Sequence, residues 1–458
     1  MSGNVFIAKA HELFDRFDPK YVQFARRSAS FRYPAVRLGA LLSEPTEYGA
    51  AEAGIERVSE ELPRYVRITD IDENGMLLPG LGATAENIDP AYFLSDGDLL
   101  FARSGNTVGK TYLHEDNRVD YPCFYAGYMI RFRFTDAVLP KYVFAFTQTP
   151  YYHEWVNAIQ RTAGQPNINA QEYRSLEIPM APLRIQRKIV AELDAAYAAK
   201  RAADEKATKL LASIDDMVLN ALGIAKLPKP DTSLSSRIFT VPVKEVINGR
   251  LDAYYYKSSF KELGKQLSLC NSVPFGSLIT EIYNGIDCRD YQDEGIPYLK
   301  VANVKPGEFS FDDLKYIDRK ELGVKDIALK AGRMLLTRKG TFGNAIALGE
   351  DYDYAISSEV FCLSIKNELV DVHYLETVIN SSIGRMLCDK YKIGAIMGSL
   401  SQEAVKALPI PMPDAKIQHR IASSAASIRG EARKLKADAS AALDAAKRKI
   451  ETVIFKNE

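Results

Sequence analysis

No stretch of this sequence reaches the ~18 consecutive apolar residues that a membrane helix requires. The opening MSGNVFIAKAHELFDRFD also lacks a basic patch followed by an apolar run. A soluble, cytoplasmic chain without membrane contact is therefore expected. Cysteine is scarce. Cys123, Cys270, Cys288, Cys362 and Cys388 are an odd number, widely scattered and without a CxxC pair, which argues against a disulfide framework or a zinc knuckle and for reduced, buried thiols. Net charge is missing as well: 59 basic residues offset 59 acidic ones, so no global positive field announces a polyanionic partner. Any such site must be local or shared with another subunit. His11, His114, His153, His373 and His419 are isolated, with neither metal-ligand spacing nor a serine or cysteine partner, and read as surface or packing residues.

What is present is ordinary globular material. Hydrophobic residues make up 47% and charged residues 26% of 458, enough for two or three domains, each with a core. The chain is also written twice. DRFDPKY (15–21) answers GRLDAYY (249–255), with Arg16 and Asp18 recurring as Arg250 and Asp252. GDLLFARSGNTVGK (97–110) answers GRMLLTRKGTFGN (332–344), with Gly97, Leu100, Arg103, Gly105 and Gly109 returning as Gly332, Leu335, Arg338, Gly340 and Gly343. YRSLEIPMAPLRIQRKI (173–189) answers VKALPIPMPDAKIQHRI (405–421). Three blocks in the same order and spacing predict a pseudo-twofold protein of two related domains.

Residues 183–222 contain no Gly or Pro and ten alanines, and 415–454 contain eleven alanines and a single Gly430, which predicts two long helices. Each would run roughly 60 Å. A heptad seam joins Ile189, Leu193, Ala196, Ala203, Ala207, Leu210, Ile214, Met217 and Ala221. A second joins Ile421, Ala425, Ile428, Ala432, Leu435, Ala439, Ala442, Ala446 and Val453, and Lys200 and Lys449 interrupt them. Matched length and register predict that the helices pair, although a 3.6 period alone would also suit packing on each helix's own domain. Pro179, Pro182, Pro411 and Pro413 stiffen the approaches, and Gly223 with Pro228 and Pro230 ends the first helix. Short β-rich runs such as RYVRITDI, GDLLFAR, YAGYMIRFRF, IPYLKVANV, GRMLLTR and EVFCLSI fill the rest, giving an α+β class.

SGNTVGKT (104–111) nearly spells a phosphate-cradling loop, but Ser104 replaces its first Gly, turns and strands follow it instead of a helix, and RKGTFGNA has lost the Lys-Thr pair. A glycine hairpin is the expectation. Neither a catalytic constellation nor the glycine fingerprint and Pro-Pro-aromatic tetrapeptide of adenine methyltransferases is present. What remains is a pair of polar loops in each half, rich in groups that suit nucleic-acid edges and phosphates. The first half offers Arg103, Ser104, Asn106, Thr107 and Lys110 in the glycine loop and Arg161, Thr162, Gln165 and Asn167 before the long helix. The second offers Arg338, Lys339, Thr341 and Asn344, then Ser399 and Ser401. Arg67 and Lys300 occupy matching strand positions. The ordinary alternative for such residues is satisfying turn backbones and surface ion pairs.

The GDLLFARSGNTVGK loop, QPNIN running into EIPMAPLRIQRKIVAELD, the weaker copy LPIPMPDAKIQHRIA and the two long helices together resemble the specificity subunit of type I restriction-modification enzymes. The resemblance covers almost the whole chain. It implies two target-recognition domains, each reading one half of a split double-stranded DNA target, separated by an antiparallel helix pair. On that basis the expected domains are 1–178, a spacer helix at 179–222, a linker at 223–240, a second domain at 241–411 and a second helix at 412–458. It also implies a non-catalytic chain that binds no cofactor and recruits two modification subunits, which use S-adenosylmethionine, and restriction/translocase subunits, which use ATP and magnesium. The second copy departs where GSLSQ replaces GQPNIN and Asn344 replaces Lys110. A targeting module of another methylation-based phage defence, or a coiled-coil scaffold binding proteins, would share the outline. In the DNA reading the helices act as a ruler, so one extra turn near Ala203 would enlarge the unread gap.

Overall fold

The computed structural model describes residues 19–27, 31–105, 107–160, 165–226, 233, 238–247, 249–325, 328–394 and 398–456. Arg16, Asp18, Asn106, Arg161 and Thr162 lie outside these residues. The chain divides into two compact units, the first comprising 1–204 and 436–458 and the second 205–435.

In the first unit a four-stranded antiparallel sheet runs in the order Glu47–Tyr48, Met129–Phe132, Leu99–Ala102, Thr111–Leu113. Every residue of the strands Leu99–Ala102 and Met129–Phe132 is buried, as their unbroken apolar runs require of strands covered on both faces. A second sheet orders Ile55–Glu56, Ala83–Thr84, Arg64–Val66 and Cys123–Tyr125, the last two parallel. Ala35–Arg37 pairs with Glu177–Pro179.

The second unit repeats this plan. Its four-stranded sheet orders Ile279–Asn284, Val360–Ile365, Arg333–Thr337 and Ala345–Ala347. Its second sheet joins Lys315–Ile317, Ile296–Leu299 and Ala355–Ile356, again with one parallel pair. Ser272–Pro274 pairs with Pro409–Pro411. Two helices cover each main sheet: Pro140–Phe146 and Pro150–Ile159 in the first unit, Val372–Asn380 and Ser382–Tyr391 in the second. The duplication seen in sequence is a duplication of topology.

The repeated motif residues have identifiable tasks. Tyr142 donates its hydroxyl proton to the Pro179 carbonyl, and Tyr374 does the same to Pro411 at 2.7 Å. Gln186 accepts from the Leu139 amide at 3.0 Å and donates to the Ala181 carbonyl at 2.8 Å. Gln418 accepts from Asp371 at 3.1 Å and donates to Pro413 at 2.9 Å. Both glutamines are buried and tie the first turns of a long helix to the domain body. Each satisfies a backbone donor and acceptor that would otherwise be stranded.

The long helices are Leu183–Leu222 and Ala415–Ile454, 40 residues each, as expected. Asp414 accepts from the Ile417 amide at 2.9 Å to open the second. The first ends in a Schellman motif: Gly223 at φ +67°, with Ile224 N–H to Leu219 O at 2.9 Å and Gly223 N–H to Asn220 O at 3.2 Å. In the first unit Ile189, Leu193 and Tyr197 share a core with Leu443, Ile450 and Ile454. In the second unit Val218 and Leu219 share one with Ile421 and Ala422. Early turns of one helix thus meet late turns of the other in both units, the antiparallel arrangement. The seam holds at Ile189, Leu193, Ala207, Ile421, Ala425 and Ala432, all buried. It fails at Ala442, which is exposed while Leu443 is only 2% exposed. A helix of 3.6 residues per turn drifts past a strict seven-residue repeat, and this end takes its phase from the domain core it packs on. Lys200 is held by Asp204 at 2.7 Å, and Lys449 reaches Glu192 at 3.0 Å.

Candidate nucleic-acid interface

The glycine loop turns on backbone angles that side chains resist. Gly105 and Gly109 have φ of +81° and +90°, and Gly340 and Gly343 have +69° and +83°. Thr111 begins the strand Thr111–Leu113, so a strand and not a helix follows this loop. The Gly109 amide is already engaged by the Ala102 carbonyl at 3.0 Å and the Tyr173 hydroxyl at 3.1 Å. Leu99–Ala102 pairs antiparallel with Thr111–Leu113, so the segment is a strand-to-strand hairpin and not the strand-to-helix turn of a phosphate cradle.

Each unit then brings its two polar loops together. In the first, Ser104 forms a β-bridge with Asn167, Ile168 N–H donates to Arg103 O at 2.9 Å, and Gly105 N–H to Pro166 O at 3.0 Å. In the second, Lys339 bridges Ser399, and Leu400 N–H donates to Arg338 O at 2.7 Å. Exposed Gln165 lies over Gly105, where a Cβ would be 3.5 Å from its Nε2. Lys339 and Thr341 are exposed; Ser104, Thr107, Asn167 and Ser399 are half-buried.

At the junction stands one arginine per unit. The Arg103 guanidinium lies 4.8 Å from the Tyr48 ring centroid and that of Arg338 5.0 Å from Phe361. Among the described residues neither is ion-paired, and the buried Nε of each has no hydrogen-bond partner. The Thr107 hydroxyl is likewise buried without a partner. An aromatic backing fixes the guanidinium plane and leaves its outer N–H groups for a bidentate acceptor such as a guanine edge or a phosphate.

Other expected contacts already have partners within the chain. Lys110 donates to the Ile71 carbonyl at 2.9 Å, and Asn344, 4% exposed, donates to the Val304 carbonyl at 2.9 Å while accepting from Arg385 at 2.6 Å. The Lys-to-Asn exchange between the copies is therefore an exchange of two ways to hold one neighbouring chain segment. The Ser401 hydroxyl caps Gln402–Lys406 by accepting from Ala404 N–H at 3.0 Å, as Asn169 caps Ala170–Arg174. Arg67 is paired in bidentate fashion with Asp70, both bonds at 2.9 Å, which raises its pKa further. Lys300 projects over Tyr291 at 5.2 Å, and its amide donates to Asn303 at 3.0 Å where Arg67 uses Asp70.

Sequence reasoning missed Tyr48, 39% exposed beneath Arg103, and Tyr128, 64% exposed, whose carbonyl accepts from the Arg103 amide at 2.9 Å. Neither lies in a repeated block. Among the described residues no group of three His, Cys, Asp or Glu side chains is placed to hold a metal ion, and no helix is long and apolar enough to cross a membrane.

Residues 285–425 match a family model described as the type I restriction modification DNA specificity domain. The chain is similar to the specificity subunits of type I restriction enzymes. It is 25% identical over 246 residues, 54% of its length, to the type I restriction enzyme EcoKI specificity subunit of Escherichia coli (strain K12). It is 20% identical over 337 residues, 72% of its length, to the StySPI specificity subunit of Salmonella potsdam. The matches span 47% of the first relative and 66% of the second. The type I restriction-modification S subunit from M. genitalium aligns over 94% of this chain and 98% of its own at 12% identity, with a TM-score of 0.42.

Proposed function

We propose that this chain is the DNA-reading subunit of a type I restriction-modification system, each unit reading one half of a bipartite double-stranded target. The observation that carries this is the recurrence, in both units, of two cross-bridged polar loops around an aromatic-backed arginine with no acidic partner among the described residues. Arg103 with Ser104, Thr107, Gln165 and Asn167 would form one reading edge. Arg338 with Lys339, Thr341 and Ser399 would form the other, with Arg67 and Lys300 on the adjoining sheets. Asn106, Arg161 and Thr162 belong to the same loops by sequence.

In this reading the chain makes and breaks no bonds. Modification subunits supply adenine methylation from S-adenosylmethionine, and restriction/translocase subunits supply ATP- and magnesium-dependent movement and cleavage. Zero net charge suits a subunit that shares phosphate neutralisation with such partners, so its DNA affinity alone should be modest and fall with salt. Co-expression with a modification subunit, followed by methylation sequencing, tests the proposal. A split motif with a fixed gap is expected, and methylation without sequence preference would refute it.

A further inference from the structure

The repeated Arg-x-Asp segment has no part in the reading edges described above, yet in the second unit it grips the chain at the point where one of them begins. Helix Ser382–Tyr391 ends without a glycine: Lys392 leaves directly into extended backbone at φ −57°, ψ 154°. Its last carbonyls therefore need outside donors. Arg250 supplies them, Nη1 donating to Tyr391 O at 3.0 Å and Nη2 to Lys392 O at 2.9 Å. Asp252 accepts from the same Nη2 at 2.6 Å and from the Tyr254 amide at 2.9 Å. The Tyr254 hydroxyl donates to Asp389 at 2.6 Å, and Lys392 Nζ donates to the other oxygen of that carboxylate at 2.7 Å.

The next residue starts the reading loop. Ile393 and Ser399 exchange both backbone bonds at 2.8 Å, Ser399 bridges Lys339, and Leu400 binds Arg338. The described ends of this loop are therefore held on both sides: Ser399 bridges the glycine loop, and the Arg250 fork holds Tyr391 and Lys392 just before Ile393. A lysine could not replace the fork, because one ammonium on a flexible stem does not present two N–H groups at a fixed spacing.

We propose that Arg250, with Asp252 and Tyr254, is a positioning clamp that sets the discrimination of the second unit's reading loop. The inference rests on the DNA-reading function proposed above and adds a specificity role for residues that do not themselves face the target. The test is methylation sequencing with the full chain co-expressed with its modification subunit, comparing R250Q, R250K and Y254F with the unaltered chain. In R250Q the ratio of methylation at matched sites to sites with one mismatch in the second unit's half should fall about 10-fold, the scale of one base contact. The ratio for the other half should stay within about 2-fold. R250K should restore little, since it returns the charge without the fork. Y254F removes one oxygen and should give a smaller loss in the same half; it carries the test if R250Q fails to accumulate. Unchanged discrimination in Y254F and both Arg250 variants, or equal relaxation of both halves, would overturn the clamp. An unaltered chain that directs no sequence-selective methylation would instead overturn the DNA-reading function, and the clamp with it.

Discussion

Where each long helix docks on its domain, the first unit places Phe144 against Tyr197, ring centroids 6.5 Å apart, and the second places Glu376 against Arg429 at 2.9 Å. Both positions lie 232 residues apart in the chain, and Phe144, Tyr197 and Glu376 are at most 4% exposed. The neighbouring glycines correspond too: Gly75 at φ +74° abuts the Phe144 ring, and Gly307 at +76° abuts the Arg429 guanidinium. The backbone around this contact is preserved while its chemistry is exchanged wholesale. Such an exchange works only if both partners change together, because a lone buried charge is far costlier than either an apolar pair or a matched ion pair.

That contrast can be broken first by E376A, which strands Arg429 and should cost about 3 kcal/mol. In thermal unfolding this should lower Tm by roughly 5 to 10 °C. The double variant E376F/R429Y imports the first unit's pair and should recover most of the loss; a double variant no better than the single would show the two docking sites to be unrelated. Q186A and Q418A sharpen the opposite point, since these glutamines do the same work in both units. Each should cost about 2 kcal/mol by denaturant unfolding, and a large difference between them would contradict equivalent roles. For recognition, R103A and R338A should each relax one half of the methylated motif by about 1 to 3 kcal/mol of discrimination. Exchange of residues 34–173 for a relative's equivalent should likewise alter one half only; changes in both halves would argue against modular reading. The smallest effect is expected for E192A. Its partner Lys449 is 59% exposed, so the 3.0 Å pair should be worth under about 0.5 kcal/mol, and a larger loss would show that the seam depends on it.

Much of the scaffold was legible in advance because it depends on local rules. The wealth of Ala and the lack of Pro predicted both long helices, and the β-rich runs GDLLFAR and GRMLLTR predicted strands. The glycines at 105, 109, 340 and 343 announced a hairpin through the backbone angles only they adopt readily. The candidate site was legible only by loop. Lys110, Asn344 and Ser401 look as suited to DNA as Arg103 in sequence, yet they hold carbonyls and cap a helix. The carbonyls that accept from Lys110 and Asn344 lie 39 and 40 residues away, and nothing in a polar loop's composition distinguishes a side chain turned inward from one turned out. Tyr48 and the Arg250 fork were missed for the same reason, the fork reaching carbonyls 141 and 142 residues distant.

Periodicity, breakers and self-similarity therefore settled that there are two copies of one α+β plan and two 40-residue helices, because each depends on residues near in the chain or on matching them between copies. Tertiary structure alone decided which loop residues remain available to a ligand and which are consumed by the scaffold, which register the second helix buries, and which buried pair is ionic. Those outcomes turn on who meets whom across long loops, where desolvation and hydrogen-bond satisfaction are decided by neighbours the local sequence does not contain.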